Sequence, residues 1–180
     1  MKLRLSHSLM YAWERGEPDR VVQMYFRMKS PTTPQMQAGT DMHKEISQYI
    51  VKNKELPPWL APFKLNNPEP DKQVIVSYNE LFDLKGLFDC YDEGDIHEFK
   101  SGRTDSLEYL RQDQIPFYFL LAELSELPAK RAFLFHYNQY DKRSDWAMLW
   151  NSPDVVERAR NRIDTIGPEI YEFFKSEGLV

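Results

Sequence analysis

Two carboxylates and a lysine stand out within residues 86–100, GLFDCYDEGDIHEFK. Gly86-x-x-Asp89 lies on one predicted strand and Glu98-x-Lys100 on the next. Glu93-Gly94 between them suits a tight turn, because glycine takes positive φ at low steric cost. With those two residues as the loop, Asp92 pairs with Asp95, and counting back sets Asp89 opposite Glu98. Lys100 follows at the period of two and shares their face. Facing Cβ atoms on paired strands lie about 5 Å apart, where like charges repel. Leu87, Tyr91 and Ile96 surround the acids on that face, so water alone does not screen them. A hard divalent cation held by oxygen ligands would remove the conflict. The plainer alternative is a solvated acidic hairpin, with Asp92, Glu93 and Asp95 in water at its tip. Phe88, Cys90, His97 and Phe99 on the opposite face read as core.

The elements that must position these groups follow from pattern. Ser6 and Ser8 precede Leu9, Met10, Tyr11 and Trp13 and suit a helix N-cap. Gly16 and Pro18 interrupt that helix, and residues 21–28 form a second amphipathic piece. Residues 30–39, SPTTPQMQAG, read as a loop. Thr40 caps a helix over residues 41–52, with Met42, Ile46, Tyr49 and Ile50 as its apolar stripe and His43 beside that stripe. Five prolines make residues 55–71 an irregular connection, pinned by Trp59 and Phe63. Strands are expected over residues 73–78, 81–91 and 95–100. A helix covers 109–127, in which Pro116 either makes a kink or sits in the first turn of a helix capped by Asp113. Either way Gln114 and Tyr118 share a face. Residues 132–137, AFLFHY, are a strand covered on both sides. A polar tract over 138–145 leads to a closing helix from about 153 to 175, with Val155, Ile163, Ile166, Ile170 and Phe173 inward. The predicted fold is α/β: a mixed central sheet flanked by helices in α-β-β-β-α-β order. One domain is expected over 1–180, with a helical segment over residues 1–55, a core over 72–137 and a C-terminal helix over 152–177.

Composition narrows the classes. A chain of 180 residues with 42% hydrophobic content can bury one ample core. The net charge of −5 argues against a broad nucleic-acid-coating surface but leaves room for a local basic groove. Arg15, Arg20, Arg27 and Lys29 make the N-terminal region the most basic; they form either a solvated helix face or a portion of such a groove. The single cysteine, Cys90, excludes an internal disulfide and a four-cysteine cluster. Neither a signal-peptide run nor a stretch of membrane-spanning length is present, so a cytoplasmic protein without membrane contact is expected.

His43, Gly86-x-x-Asp89, Glu98-Phe99-Lys100 and Gln114-x-x-x-Tyr118 occur in this order. So arranged, the sequence resembles the PD-(D/E)XK nuclease superfamily, with its restriction-endonuclease-like core, and in particular the RecB-like branch that includes Cas4-type exonucleases. Ser6-x-Ser8 and Gly39-x-x-x-His43 match that branch's N-terminal elements. Each motif is short, and their joint order carries the likeness. The resemblance implies a metal-dependent DNA exonuclease of DNA processing, repair or recombination. Asp89, Glu98, His43 and the backbone carbonyl of Phe99 would then hold Mg²⁺ or Mn²⁺, and Lys100 would activate water and offset phosphate charge. Gln114 and Tyr118 would position Lys100 or the DNA backbone, which Ser6, Ser8, Arg103 and Arg111 would also contact. Cas4-type members usually carry an iron–sulfur cluster on four cysteines, which this chain cannot build. Processivity would call for a homo-oligomer or a helicase or recombination partner. The rival readings are an endonuclease of the same fold and a non-cleaving nucleic-acid-binding or assembly subunit.

Overall fold

The computed structural model describes residues 2–28, 31–102 and 104–180. It begins with a short strand, β1 (Leu3–Leu5), rather than with a helix; Leu3 and Leu5 are buried and Arg4 faces out. Ser6 then caps α1 (His7–Glu14), its Oγ accepting from the Leu9 N–H. Helix α2 (Pro18–Tyr25) starts on Pro18 instead of after it, since the first turn needs no N–H from proline. Helix α3 (Pro34–Asn53) likewise starts on a proline, capped by Thr33, and runs through residues 34–39 where a loop was expected. Thr40, the expected cap, is interior to it and donates to the Met36 carbonyl. Lys29 and Ser30 lie outside the described residues.

Strands β2 (Pro68–Ser77), β3 (Phe82–Asp92) and β4 (Asp95–Ser101) are followed by α4 (Ser106–Arg111) and α5 (Gln114–Leu124). Strand β5 (Arg131–Asn138), an unexpected sixth strand β6 (Arg143–Trp150) and α6 (Pro153–Ser176) complete the chain. The single helix expected at 109–127 is therefore two. The break at Gln112 and Asp113 places Pro116 in the first turn of α5. Strand β2 absorbs Pro68 and Pro70 from the expected connection; it pairs only with β3, and an edge strand tolerates proline.

Strand β3 organises the sheet. Strand β2 runs antiparallel along one of its edges from Asp83 to Asp92. Its other edge is shared: β1 pairs parallel with residues 82–84, and β4 pairs antiparallel with residues 90–92. Between them, residues 85–89 have no strand neighbour on that edge among the described residues. The hairpin register is the expected one, Asp92 opposite Asp95, with positive φ at Glu93 and Gly94. The ladder ends at Cys90 opposite His97, one step before Asp89 and Glu98. Beyond β4, β5 adds in parallel and β6 in antiparallel.

Helices α1, α5 and α6 cover one face of the sheet, where Leu84, Phe88, Phe119, Ile163 and Phe174 share a core. Helix α3 and the Leu56–Leu65 connection cover the other, with Cys90, Phe99, Phe133 and Phe135. Phe63 and Trp59 pin that connection as expected, on Phe133 and Tyr137 respectively. Phe88 is thus not on the Cys90 side. Strand β3 changes face at Asp89, where the ladder with β2 skips Asp71, a residue at φ +54°. In α6, Val156 and Phe174 take the buried places expected of Val155 and Phe173, which are half-buried. Nor is the hairpin tip freely solvated. Asp92 is buried and accepts from the Asn66 and Asn67 N–H groups, and Asp95 forms a two-pronged pair with Arg131.

His97 is fully buried, its ring nearly parallel to those of Phe133 and Phe135 beside it, and among the described residues neither ring nitrogen has a partner. Burial pushes its pKa down to about 4, so the fold holds it neutral. Below about pH 6.5 the unfolded chain takes up a proton that the folded chain refuses until about pH 4, and stability falls over that window. His97→Leu is expected to leave stability at pH 7.5 unchanged or raised by about 1 kcal/mol, because two unpaired polar atoms are removed. The variant's advantage should grow as pH falls from 6.5 to 4.5, read as the difference in urea midpoint between the two proteins.

Candidate active site

The unpaired edge of β3 brings together the acids that the sequence singles out. Asp89 sits at its end, 8% exposed, and Oδ2 accepts the Phe99 N–H at 2.7 Å. That bond bridges the point where β3 and β4 diverge. Its other oxygen meets His43 Nδ1 of α3 at 3.3 Å. Glu98 is 2% exposed and faces the α5 side. Oε1 accepts from Lys100 Nζ at 2.5 Å and from Gln114 Nε2 at 2.7 Å. Gln114 Nε2 also donates to the Tyr118 hydroxyl, which donates to the Leu87 carbonyl on the open edge. His43 therefore serves one acid from above the sheet, and Gln114 and Tyr118 serve the other from below.

The electrostatics follow from burial. Loss of water and then the charge of Asp89 push the Glu98 carboxyl up to about 7, against the opposing pull of Lys100. Burial would lower the Lys100 pKa, but the charges of Glu98 and Asp89 outweigh it and the ammonium is retained. Burial also works against protonation of His43, and the hydrogen bond and charge of Asp89 reverse it, leaving His43 above its usual value. Tyr118 is raised by burial and by both acids, so it remains a hydroxyl donor.

Glu98 Oε2 is buried without a partner among the described residues. Among the described residues, no three His, Cys, Asp or Glu side chains are set as a ready cation cage. What is present is an acid pair, one imidazole and a free carboxylate oxygen, a donor set of the kind that hard divalent ions take. The residues fit such an ion, with the Lys100–Glu98 contact as the feature that must yield room.

A cleft of about 520 Å³ opens beside Gln114 and Tyr118 along the free edge of β3. Lys2, just before β1, and Arg4 on it line one side, Arg27 follows α2, and Lys85 lies on β3; among the described residues no carboxylate lines it. Ser6 and Ser8 border it at the start of α1. Arg111 is elsewhere, paired with Glu108 on the exposed side of α4. Arg103 lies outside the described residues. Sequence reading overlooked Lys2, Arg4 and Lys85; the alternation of Lys2 and Arg4 with Leu3 and Leu5 is the signal that could have found two of them. His7 also lines this cleft. Burial, with Arg162 and Lys100 nearby, pushes its pKa down to about 3.

Gly86 fixes how closely α5 approaches the edge. A Cβ there would collide with Leu121 Cδ1 and come within 3.3 Å of the Tyr118 ring. Gly86→Ala is expected to cost about 1–3 kcal/mol in denaturant unfolding. It should also displace the Tyr118 hydroxyl from Leu87, which ultraviolet titration of the tyrosines would register as a lower Tyr118 pKa.

No protein-family model and no curated protein matches the chain. Solved structures do. An alkaline exonuclease from Laribacter hongkongensis, LHK-Exo, aligns with TM-score 0.60 at 10% identity, over 97% of this chain and 93% of that one. The same enzyme solved with dAMP aligns equally well. A phage-related exonuclease from Haemophilus somnus aligns with TM-score 0.54 at 11% identity, over 98% of this chain and 97% of that one. At such identities the likeness speaks for the fold, a helix-flanked mixed sheet of the restriction-endonuclease-like kind. No helix among the described residues is long and apolar enough to cross a membrane.

Proposed function

We propose that this chain is a metal-dependent DNA nuclease acting as an exonuclease in DNA processing, repair or recombination. Glu98 carries the reading. It is a buried carboxylate beside Asp89, with one oxygen on Lys100 and Gln114 and the other unpartnered. It stands at an open strand edge next to a cleft rich in cations. The exonuclease form is supported by the fold shared with the two exonucleases above.

Asp89, Glu98, His43 and the Phe99 carbonyl would hold Mg²⁺ or Mn²⁺, which when bound lowers the pKa of a water and offsets phosphate charge. The chain's own groups do the rest. Gln114 ties Glu98 to Tyr118, and Tyr118 is tied to the Leu87 carbonyl, so the acid's orientation is set in advance. Lys100 retains its proton and stands at Glu98, where its ammonium can meet charge developing on a phosphate oxygen. Lys2, Arg4, Arg27 and Lys85, with the hydroxyls of Ser6 and Ser8, bind the DNA backbone. A homo-oligomer, or a helicase or recombination partner, would let such an enzyme enclose its DNA. The test compares end-labelled linear DNA with closed circular DNA in Mg²⁺ or Mn²⁺. Loss of label from linear DNA with circles intact is expected. Nicked or linearised circles would make the chain an endonuclease, and no cleavage of either substrate would sink the nuclease reading.

A further inference from the structure

A second cleft, of about 600 Å³, lies on the opposite side of the acid pair. Its walls are the exposed flank of α3, from Thr40 to Val51, and the Pro70-Asp71 step of β2. His43 lines it and stands 3.3 Å from Asp89, so this cleft reaches the acids through the imidazole. The basic cleft shares Gln114 and Tyr118 with the site and meets the acids from the Glu98 side. A strand whose phosphodiester rests at Asp89 and Glu98 has one cleft beyond His43 and the other beyond Gln114.

The two clefts differ in chemistry. Four cationic side chains line the basic one, of which Lys2 also pairs with Asp83, and among the described residues no carboxylate lines it. The second has Lys44 and Asp71, one of each sign, beside the apolar surfaces of Val51 and Pro70 and the hydrogen-bonding side chains of Ser47 and Gln48. Val51 is 71% exposed, a branched apolar side chain left to solvent where a polar residue would suit a helix flank. The opening is built by the backbone. Asp71 holds φ +54°, and the β2–β3 ladder skips the step where it would face Asp89, so β2 turns aside at that point. Near-neutral walls with apolar patches and a few donors and acceptors suit a sugar and a base, not a phosphate.

We propose that the cleft between α3 and Pro70-Asp71 seats the nucleoside on one side of the scissile phosphate, while the basic cleft takes the phosphates on the other. This rests on the nuclease reading for its biological meaning, and the experiment separates the two. The probe is a dinucleoside methylphosphonate, whose uncharged linkage is neither repelled by the acids nor dependent on metal. Added to the wild-type protein, it should shift the Val51 methyl resonances, and methyl phosphate, which lacks a nucleoside, should not. Val51→Trp fills the cleft from an exposed position. It should lower kcat/KM on DNA at least tenfold while leaving hydrolysis of bis(p-nitrophenyl) phosphate, which has no nucleoside, at the wild-type rate. Val51 methyls unmoved by the probe, or Val51→Trp cutting DNA as well as wild type, would overturn the proposal. So would equal loss on both substrates, which would mean a distorted site. A wild-type protein that binds the probe at Val51 and cleaves nothing would uphold the nucleoside seat and remove the nuclease reading alone.

Discussion

Glu98→Gln is expected to lower DNA cleavage by at least about 10³-fold while making the metal-free protein more stable. The two effects have one cause. In the fold the Glu98 carboxyl is raised to about 7 by burial and by Asp89, whereas the unfolded chain ionises near 4.5. Below pH 4.5 both states hold the proton, and Glu98 makes no difference. Between 4.5 and 7 the unfolded chain releases it first, so stability drains away as pH rises; above 7 the loss is complete. Glutamine keeps the shape without the charge. The gain of the variant over wild type should therefore appear between pH 4.5 and 7 and level off on the order of 1–3 kcal/mol, measured in chelator. This pH trend runs opposite to that of His97, so each has to be read as a difference between variant and wild type. A Glu98→Gln protein that is less stable than wild type at pH 8 would mean that the Lys100 contact outweighs the repulsion.

Lys100→Ala is expected to separate binding from chemistry. The ammonium occupies Glu98 Oε1 and is no ligand while protonated. Its removal frees that oxygen, so calorimetric Mn²⁺ affinity should hold or rise slightly. Turnover should fall by about 10²–10³-fold as the counter-charge for the phosphate is lost. The metal-free protein should also lose stability above pH 7, because two buried acids then lack their nearest cation. Joint loss of Mn²⁺ binding and activity would recast Lys100 as a group that merely holds the acids in place.

The acids, Lys100, Gln114 and Tyr118 were legible because each rests on a local rule. The turn at Glu93-Gly94 sets the hairpin register, the period of two puts Lys100 beside Glu98, and a spacing of four sets the helix pair. His43 was legible only through motif order, since nothing near it in sequence brings α3 over β3. What escaped depends on distant contacts. Lys2 and Arg4 alternate with Leu3 and Leu5, but only the pairing of β1 with residues 82–84, far along the chain, brings them to the cleft. Strand β6 is an edge with a largely exposed surface, so its alternation is weak. Asp92 looked solvated because the N–H groups it accepts from belong to Asn66 and Asn67, far back in the chain. The change of face at Asp89 comes from the unpaired edge of β3 and the kink at Asp71, and neither leaves a mark in hydrophobic periodicity.

If Asp89 and Glu98 form a cation-dependent site for cutting DNA, both the ion and each acid must be indispensable. Release of mononucleotide from end-labelled linear duplex probes this in one assay, with wild type and Asp89→Asn side by side in Mg²⁺, in Mn²⁺ and in excess EDTA. Wild type should release nucleotide with either ion and none in EDTA, and Asp89→Asn should release none under any condition. Asp89→Asn releasing nucleotide at the wild-type rate, or wild type undiminished in EDTA, would show that the acid pair is not the site of cleavage.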